Sequence, residues 1–113
     1  MNIPPIEEFI LLHNNICAAF TDPKRMQIIY ALSECAMNVS TLAETLEMPQ
    51  PTVSRHLAAL RQRGLVTVER SGTSATYCVA DARIRDVIEL QRQILKSVLE
   101  HQTAVIDTNY FNE

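Results

Sequence analysis

At Gly64 the spacing of apolar residues changes, and that change limits the folds open to the chain. Before it, Val53, Leu57 and Leu60 recur four and then three residues apart, on one face of a helix. After it, Leu65-Val66-Thr67-Val68-Glu69-Arg70 is β-branched and strand-like, Ser71-Gly72-Thr73 is a turn, and Ser74-Ala75-Thr76-Tyr77-Cys78-Val79 is a second strand. Gly64 itself suits the left-handed residue that closes a helix. A β-hairpin is therefore joined directly to the end of a short helix. With 113 residues, the chain is expected to form one domain, 1–113, around one modest core.

The helices upstream follow from their start signals. Pro51 fits only a first helical turn, so the helix before Gly64 begins near Gln50. A shorter helix from about Ser40 to Leu46 precedes it, with Thr41-x-x-Glu44 as the expected capping box. Asp22 caps another helix, with Pro23 at its first position and Met26, Ile28, Ile29 and Leu32 along it; it should stop between Glu34 and Ala36. The first helix starts at Pro4 or Pro5, with Glu7 and Glu8 at the positive end of its dipole. Ile6, Phe9, Ile10, His13, Ile16 and Cys17 then follow at helical spacing.

Asp81 caps a last helix from Ala82 to about Ile106. Its apolar positions, among them Ile84, Val87, Ile88, Ile94, Leu95, Val98 and Leu99, partly recur every seven residues, as in a helix that packs along another. Such a helix is roughly 37 Å long. A domain of about 100 residues has a radius of gyration near 13 Å and cannot cover it. The excess apolar face calls for a partner, most economically a second copy of the chain. The segments 1–20 and 82–106 are thus read as dimerisation helices, and the tail 107–113, with Tyr110 and Phe111, as loose.

Net charge is −3, but the charge is unevenly placed. Between Gln50 and Val79 lie Arg55, Arg61, Arg63 and Arg70 against Glu69 alone, whereas the two chain ends are acidic. A basic patch of this kind is the electrostatic footprint of a nucleic-acid partner. Cys17, Cys35 and Cys78 are odd in number and lack CxxC spacing, which favours free thiols in a reducing cytoplasm. No apolar run approaches the ~18 residues of a membrane span, and the first residues lack the pattern of a secretory signal. His13, His56 and His101 fall on separate helices, and no nucleophile–base set or glycine-rich phosphate loop is present, so the chain is not read as an enzyme.

The order helix, helix, helix–turn–helix, hairpin, long helix resembles the ArsR/SmtB family of winged helix-turn-helix repressors. Carrying the resemblance are Phe20-Thr21-Asp22-Pro23-Lys24-Arg25-Met26-Gln27-Ile28-Ile29, Leu42-Ala43-Glu44-Thr45-Leu46, Gln50-Pro51-Thr52-Val53-Ser54-Arg55-His56-Leu57-Ala58-Ala59-Leu60, Gly64-Leu65-Val66, and Gly72 with Tyr77. It implies a mainly α fold with a small β-hairpin, a helix-turn-helix over 40–63, a wing over 65–79, and a homodimer that leaves its operator when an inducer binds. Gln50, Thr52, Ser54 and Arg55, with His56 toward the edge, would face duplex DNA from the fourth helix. Gln50 can pair bidentately with adenine, and Arg55 with guanine or a phosphate. Arg70 and Thr73 would act from the wing; Thr73 stands where relatives often carry a basic residue. Lys24 and Arg25 are weaker candidates for the flanking DNA backbone. A dimer would hold two such helices about 34 Å apart, which implies an imperfect inverted repeat. The alternative is a winged-helix module that docks on another protein, but the face from Gln50 to Arg55 has no aromatic or aliphatic anchor for that.

The family's metal sites have no counterpart here, so no cofactor is expected. Asn38 stands at the key cysteine position, and Arg83 and Ile94 stand where the last helix would supply histidines after Asp81. Other trigger groups are Cys35, Cys78 (expected to be the more exposed) and Cys17, which shares a helical face with His13. A pair of these could form a reversible bridge. His101 beside Glu100 is a further candidate across a dimer.

Overall fold

Short polar side chains and prolines set the helix starts. The computed structural model describes residues 1–106, with side chains through Gln102. Helix α1 spans Ile6–Asn15, and a 3-10 turn over Cys17–Phe20 follows it. Helix α2 spans Pro23–Glu34, α3 Val39–Leu46 and α4 Gln50–Gln62. Strands β1 (Val66–Ser71) and β2 (Ser74–Val79) form the hairpin, and α5 runs from Arg83 to Ile106. At the start of α2, Asp22 accepts from the Lys24 amide at 2.8 Å. At the start of α5, Asp81 accepts from the Arg83 amide at 2.9 Å. The tail 107–113, with Tyr110 and Phe111, lies outside the described residues.

Two local expectations are corrected. The cap of α3 is Asn38, whose side chain accepts from the Thr41 amide at 2.7 Å. Thr41 is thus inside the first turn and cannot head a capping box with Glu44; the true cap lies three residues upstream, where Asn was available. The first helix does not continue through Cys17. It ends at Asn15, so His13 and Cys17 are not one turn apart on a continuous helical face.

The core forms where α2, α3, α4 and the base of the hairpin meet α5. Ile28 and Ile29 of α2, Leu42 of α3, Val53, Leu57 and Leu60 of α4, and Val66 of β1 are fully buried. Ile84 and Ile88, four residues apart, bring the first turns of α5 onto this core. Gly64, at φ +77°, reverses the chain after α4, and Leu65 donates back to the Leu60 carbonyl at 3.0 Å. The hairpin is antiparallel, with Val66 opposite Val79 and Ser71 opposite Ser74. Gly72 at φ +61° takes the first central position of its two-residue turn, which suits a type II′ turn. Met37 pairs with Tyr77 through two backbone hydrogen bonds of 2.8 and 3.1 Å, fixing the hairpin base beside the start of α3.

The terminal helices lie largely outside this core. None of the α1 residues is buried, and Ile6, Phe9, Ile10, Leu11 and Leu12 are all exposed. Beyond Ile88, α5 exposes Leu90, Ile94, Leu95 and Val98, with Ile94 at 56 % and Leu95 at 55 %. The outline is flat and extended, 56 × 43 × 21 Å, with a radius of gyration of 17.1 Å. A closed domain of about 100 residues would have a radius near 13 Å. No described helix is long and apolar enough to cross a membrane.

Candidate nucleic-acid interface

Helix α4 has a buried face and an open one. Val53, Leu57 and Leu60 fix its rotation by inserting into the core. That rotation leaves Gln50, Ser54 and Arg55 exposed and Thr52 half-buried. Arg55 Nη2 lies 3.4 Å from Thr52 Oγ1, a long contact that leaves the guanidinium largely unengaged. Pro49 precedes the helix without a side-chain cap, so no side chain occupies the amides of its first turn. Pro51 has no N–H and the Thr52 amide donates to the Pro49 carbonyl at 3.0 Å, so the Gln50 amide is the one that adds positive potential at this end.

The wing tip stands next to this helix start. A groove of about 370 Å3 is lined by Asn38, Val39 and Ser40 of the α3 start, Gln50 of α4, and Thr73, Ser74 and Ala75 of the hairpin. Gln50 and Thr73 are thus brought to one rim, with Arg70 exposed farther along the same hairpin. At the far end of α4, Arg61 is exposed, while Arg63 donates to the Asn14 carbonyl and ties the end of α4 to α1.

His56 is placed differently from its neighbours. Its side chain is only 13 % exposed and lies against the first turn of α2. Arg25 Nε donates to His56 Nδ1 at 3.2 Å, and Asp22 Oδ2 lies 4.0 Å from Nε2. Burial pushes the imidazole below its ordinary pKa, against the opposing pull of Asp22. His56 therefore does not share the open surface of Gln50, Ser54 and Arg55.

The three thiols differ in exposure. Cys17 and Cys35 are exposed and Cys78 is half-buried, which reverses the expected order of Cys35 and Cys78. The reason is the sheet: Cys78 is paired with Thr67 on β1, whose Oγ1 lies 3.8 Å from its sulfur, while Cys35 sits past the end of α2. Among the described residues, no three His, Cys, Asp or Glu side chains come together as a metal site. Asn38 is engaged as the α3 cap, and Arg83 binds Asp81 through a 2.7 Å ion pair. That pairing and the Arg83 amide hold the Asp81 carboxyl at a pKa of about 2. His101 and Glu100 are exposed near the end of the described chain.

A polar network absent from the sequence reading joins α2 to α5. Tyr30 donates to Glu89 at 2.5 Å, and the Arg85 and Arg92 guanidinium groups lie 4.8 and 5.5 Å from its ring centre. Arg85 also pairs with Glu34 at 2.8 Å, and Arg92 with Glu89 at 3.0 Å. Its signal was present: Arg85, Glu89 and Arg92 recur at helical spacing along the flank of the apolar positions Ile84 and Ile88 of the same helix.

Comparison with known proteins agrees with this architecture. Residues 22–68 match the family described as bacterial regulatory protein, arsR family. The chain is 38 % identical over 76 residues to an uncharacterised helix-turn-helix transcriptional regulator of Methanocaldococcus jannaschii, covering 66 % of this chain and 85 % of that protein. It is 35 % identical over 85 residues to the transcriptional repressor SmtB of Mycobacterium tuberculosis, covering 75 % of this chain but only 63 % of the repressor's length. Among solved structures, the homodimeric winged helix-turn-helix DNA-binding domain Mb0332 of Mycobacterium bovis superposes with a TM-score of 0.72 at 27 % identity, over 89 % of this chain and 95 % of that one.

Proposed function

The chain belongs to the ArsR family of bacterial regulatory proteins, and from that membership we propose that it is a homodimeric repressor that binds an inverted-repeat operator and is released by an inducer. It is a winged helix-turn-helix transcription regulator, not an enzyme. The observation that carries the proposal is the open face of α4. Gln50, Ser54 and Arg55 project from a helix whose opposite side is locked into the core, and the wing stands beside its first turn. A helix presented in this way matches the width of the major groove, and its amide and guanidinium groups match adenine and guanine edges.

The partner in the dimer would be a second copy, joined through the exposed apolar faces of α1 and α5. Two recognition helices would then meet successive major grooves about 34 Å apart. The inducer is assigned as a class: a thiol oxidant, a metal or a small molecule acting on the dimer. The family-type metal positions offer Asn38, Arg83 and Ile94, of which the first two are engaged elsewhere, so the repressor is proposed to need no resident cofactor.

Selection of bound duplexes from a random pool tests this reading. The expected product is an inverted repeat with half-sites one helical turn apart. Arg55→Ala should remain a folded dimer and lose about 1–3 kcal/mol of discrimination at one base position of each half-site. Recovery of no enriched sequence, or an Arg55→Ala variant with the same preference, would overturn it.

A further inference from the structure

We propose that Arg25 is a DNA-phosphate contact flanking the recognition helix, and that His56 is the positioning residue that holds it. The contact presupposes that α4 reads DNA. Arg25 lies in the first turn of α2, and its Nε donates to His56 Nδ1 across 31 positions of sequence. An imidazole that accepts at Nδ1 carries its proton on Nε2. Here Nε2 lies 4.0 Å from Asp22 Oδ2, beyond hydrogen-bond reach but close enough for the carboxylate to favour the Nε2–H end electrostatically, so the tautomer is set by the Arg25 donation to Nδ1.

Five N–H groups belong to a guanidinium, and this hydrogen bond uses one. The Nη groups of Arg25 make no hydrogen bond among the described residues. They form the end-on pair that suits bidentate contact with a phosphate. The surroundings are cationic: Lys24, Arg25 and Arg55 all act electrostatically on His56, with Asp22 the opposing charge. Asp22 is already committed as the α2 cap. A net positive cluster with a held, unfilled guanidinium, beside an open recognition helix, is complementary to the phosphodiester backbone next to the bases that α4 would read.

The two roles separate by salt dependence. The full-length protein is titrated with a 30-base-pair duplex of mixed sequence from 50 to 200 mM salt, as wild type, Arg25→Gln, His56→Leu and the double variant. Loss of one phosphate contact flattens the log–log salt slope by about 0.9 per bound subunit. Arg25→Gln is expected to show that flattening with base preference unchanged, because it removes charge from a half-exposed side chain. His56→Leu is expected to weaken binding in the wild-type background and to add nothing to Arg25→Gln. A salt slope unaltered by Arg25→Gln overturns the contact. An equal loss from His56→Leu in both backgrounds overturns the positioning role. Failure of the wild type to bind duplex at all would instead defeat the proposed function, and this contact with it.

Discussion

His56 shows how a residue's neighbours decide its work. Its position in α4 places it next to Arg55, yet burial and the Arg25 hydrogen bond turn it toward α2. Its pKa lies below the ordinary 6.5, first because burial penalises the charged form. Folding therefore favours the neutral imidazole. Stability from this group is fully present above pH 6.5 and is lost as pH falls through 6.5 toward the lower folded value. Thermal melts between pH 7.5 and 5.5 should accordingly show a falling Tm in wild type and a shallower fall in His56→Leu. Parallel pH profiles for the two proteins would contradict this account. Asp81 acts in a lower window: its carboxyl, held at about 2 by Arg83, loses its contribution as pH falls from 3.8.

Among the elements, α3 depends most on a single side chain. It has eight residues, and the Asn38 side chain satisfies one of its first free amides, that of Thr41. Its other end closes on Glu47 in a left-handed conformation (φ 54°), a geometry that costs a non-glycine residue roughly 1 kcal/mol or more. Asn38→Ala should therefore destabilise the protein by about 0.5–2 kcal/mol in urea denaturation, with Thr41→Ala costing much less at this cap. Comparable losses from the two would restore Thr41 as the cap. Helix existence was legible because periodicity and proline position are local properties: α2, α4 and the hairpin lie within a residue or two of expectation. The cap of α3 was misread because both Asn38 and Thr41 have capping chemistry, and only the chain path from the Met37–Tyr77 pairing selects between them. At the interface, the exposure of Gln50, Ser54 and Arg55 follows from the apolar spacing of α4. The inward turn of His56 was not legible, because Arg25 and Asp22 come from another helix.

As a whole, the molecule is a small core with two long apolar arms. Exposed Ile94 and Leu95 sit far along α5, beyond the core contacts of Ile84 and Ile88. Replacing both by Lys should leave the α2–α4 core folded while giving a monomer in sedimentation. Binding to a two-half-site duplex should then fall by roughly 10²-fold or more, because the linked second contact is lost. An unchanged dimer would move the interface off this helix.

The flat outline has a consequence for the protein's lifetime in a cell. In the proposed dimer, apolar area on the arms stabilises the fold only once a second subunit covers it, so resistance to degradation would rise with the amount synthesised. Scarce copies would spend more time opened to proteases than abundant ones, and steady-state supply would respond to synthesis more steeply than in proportion.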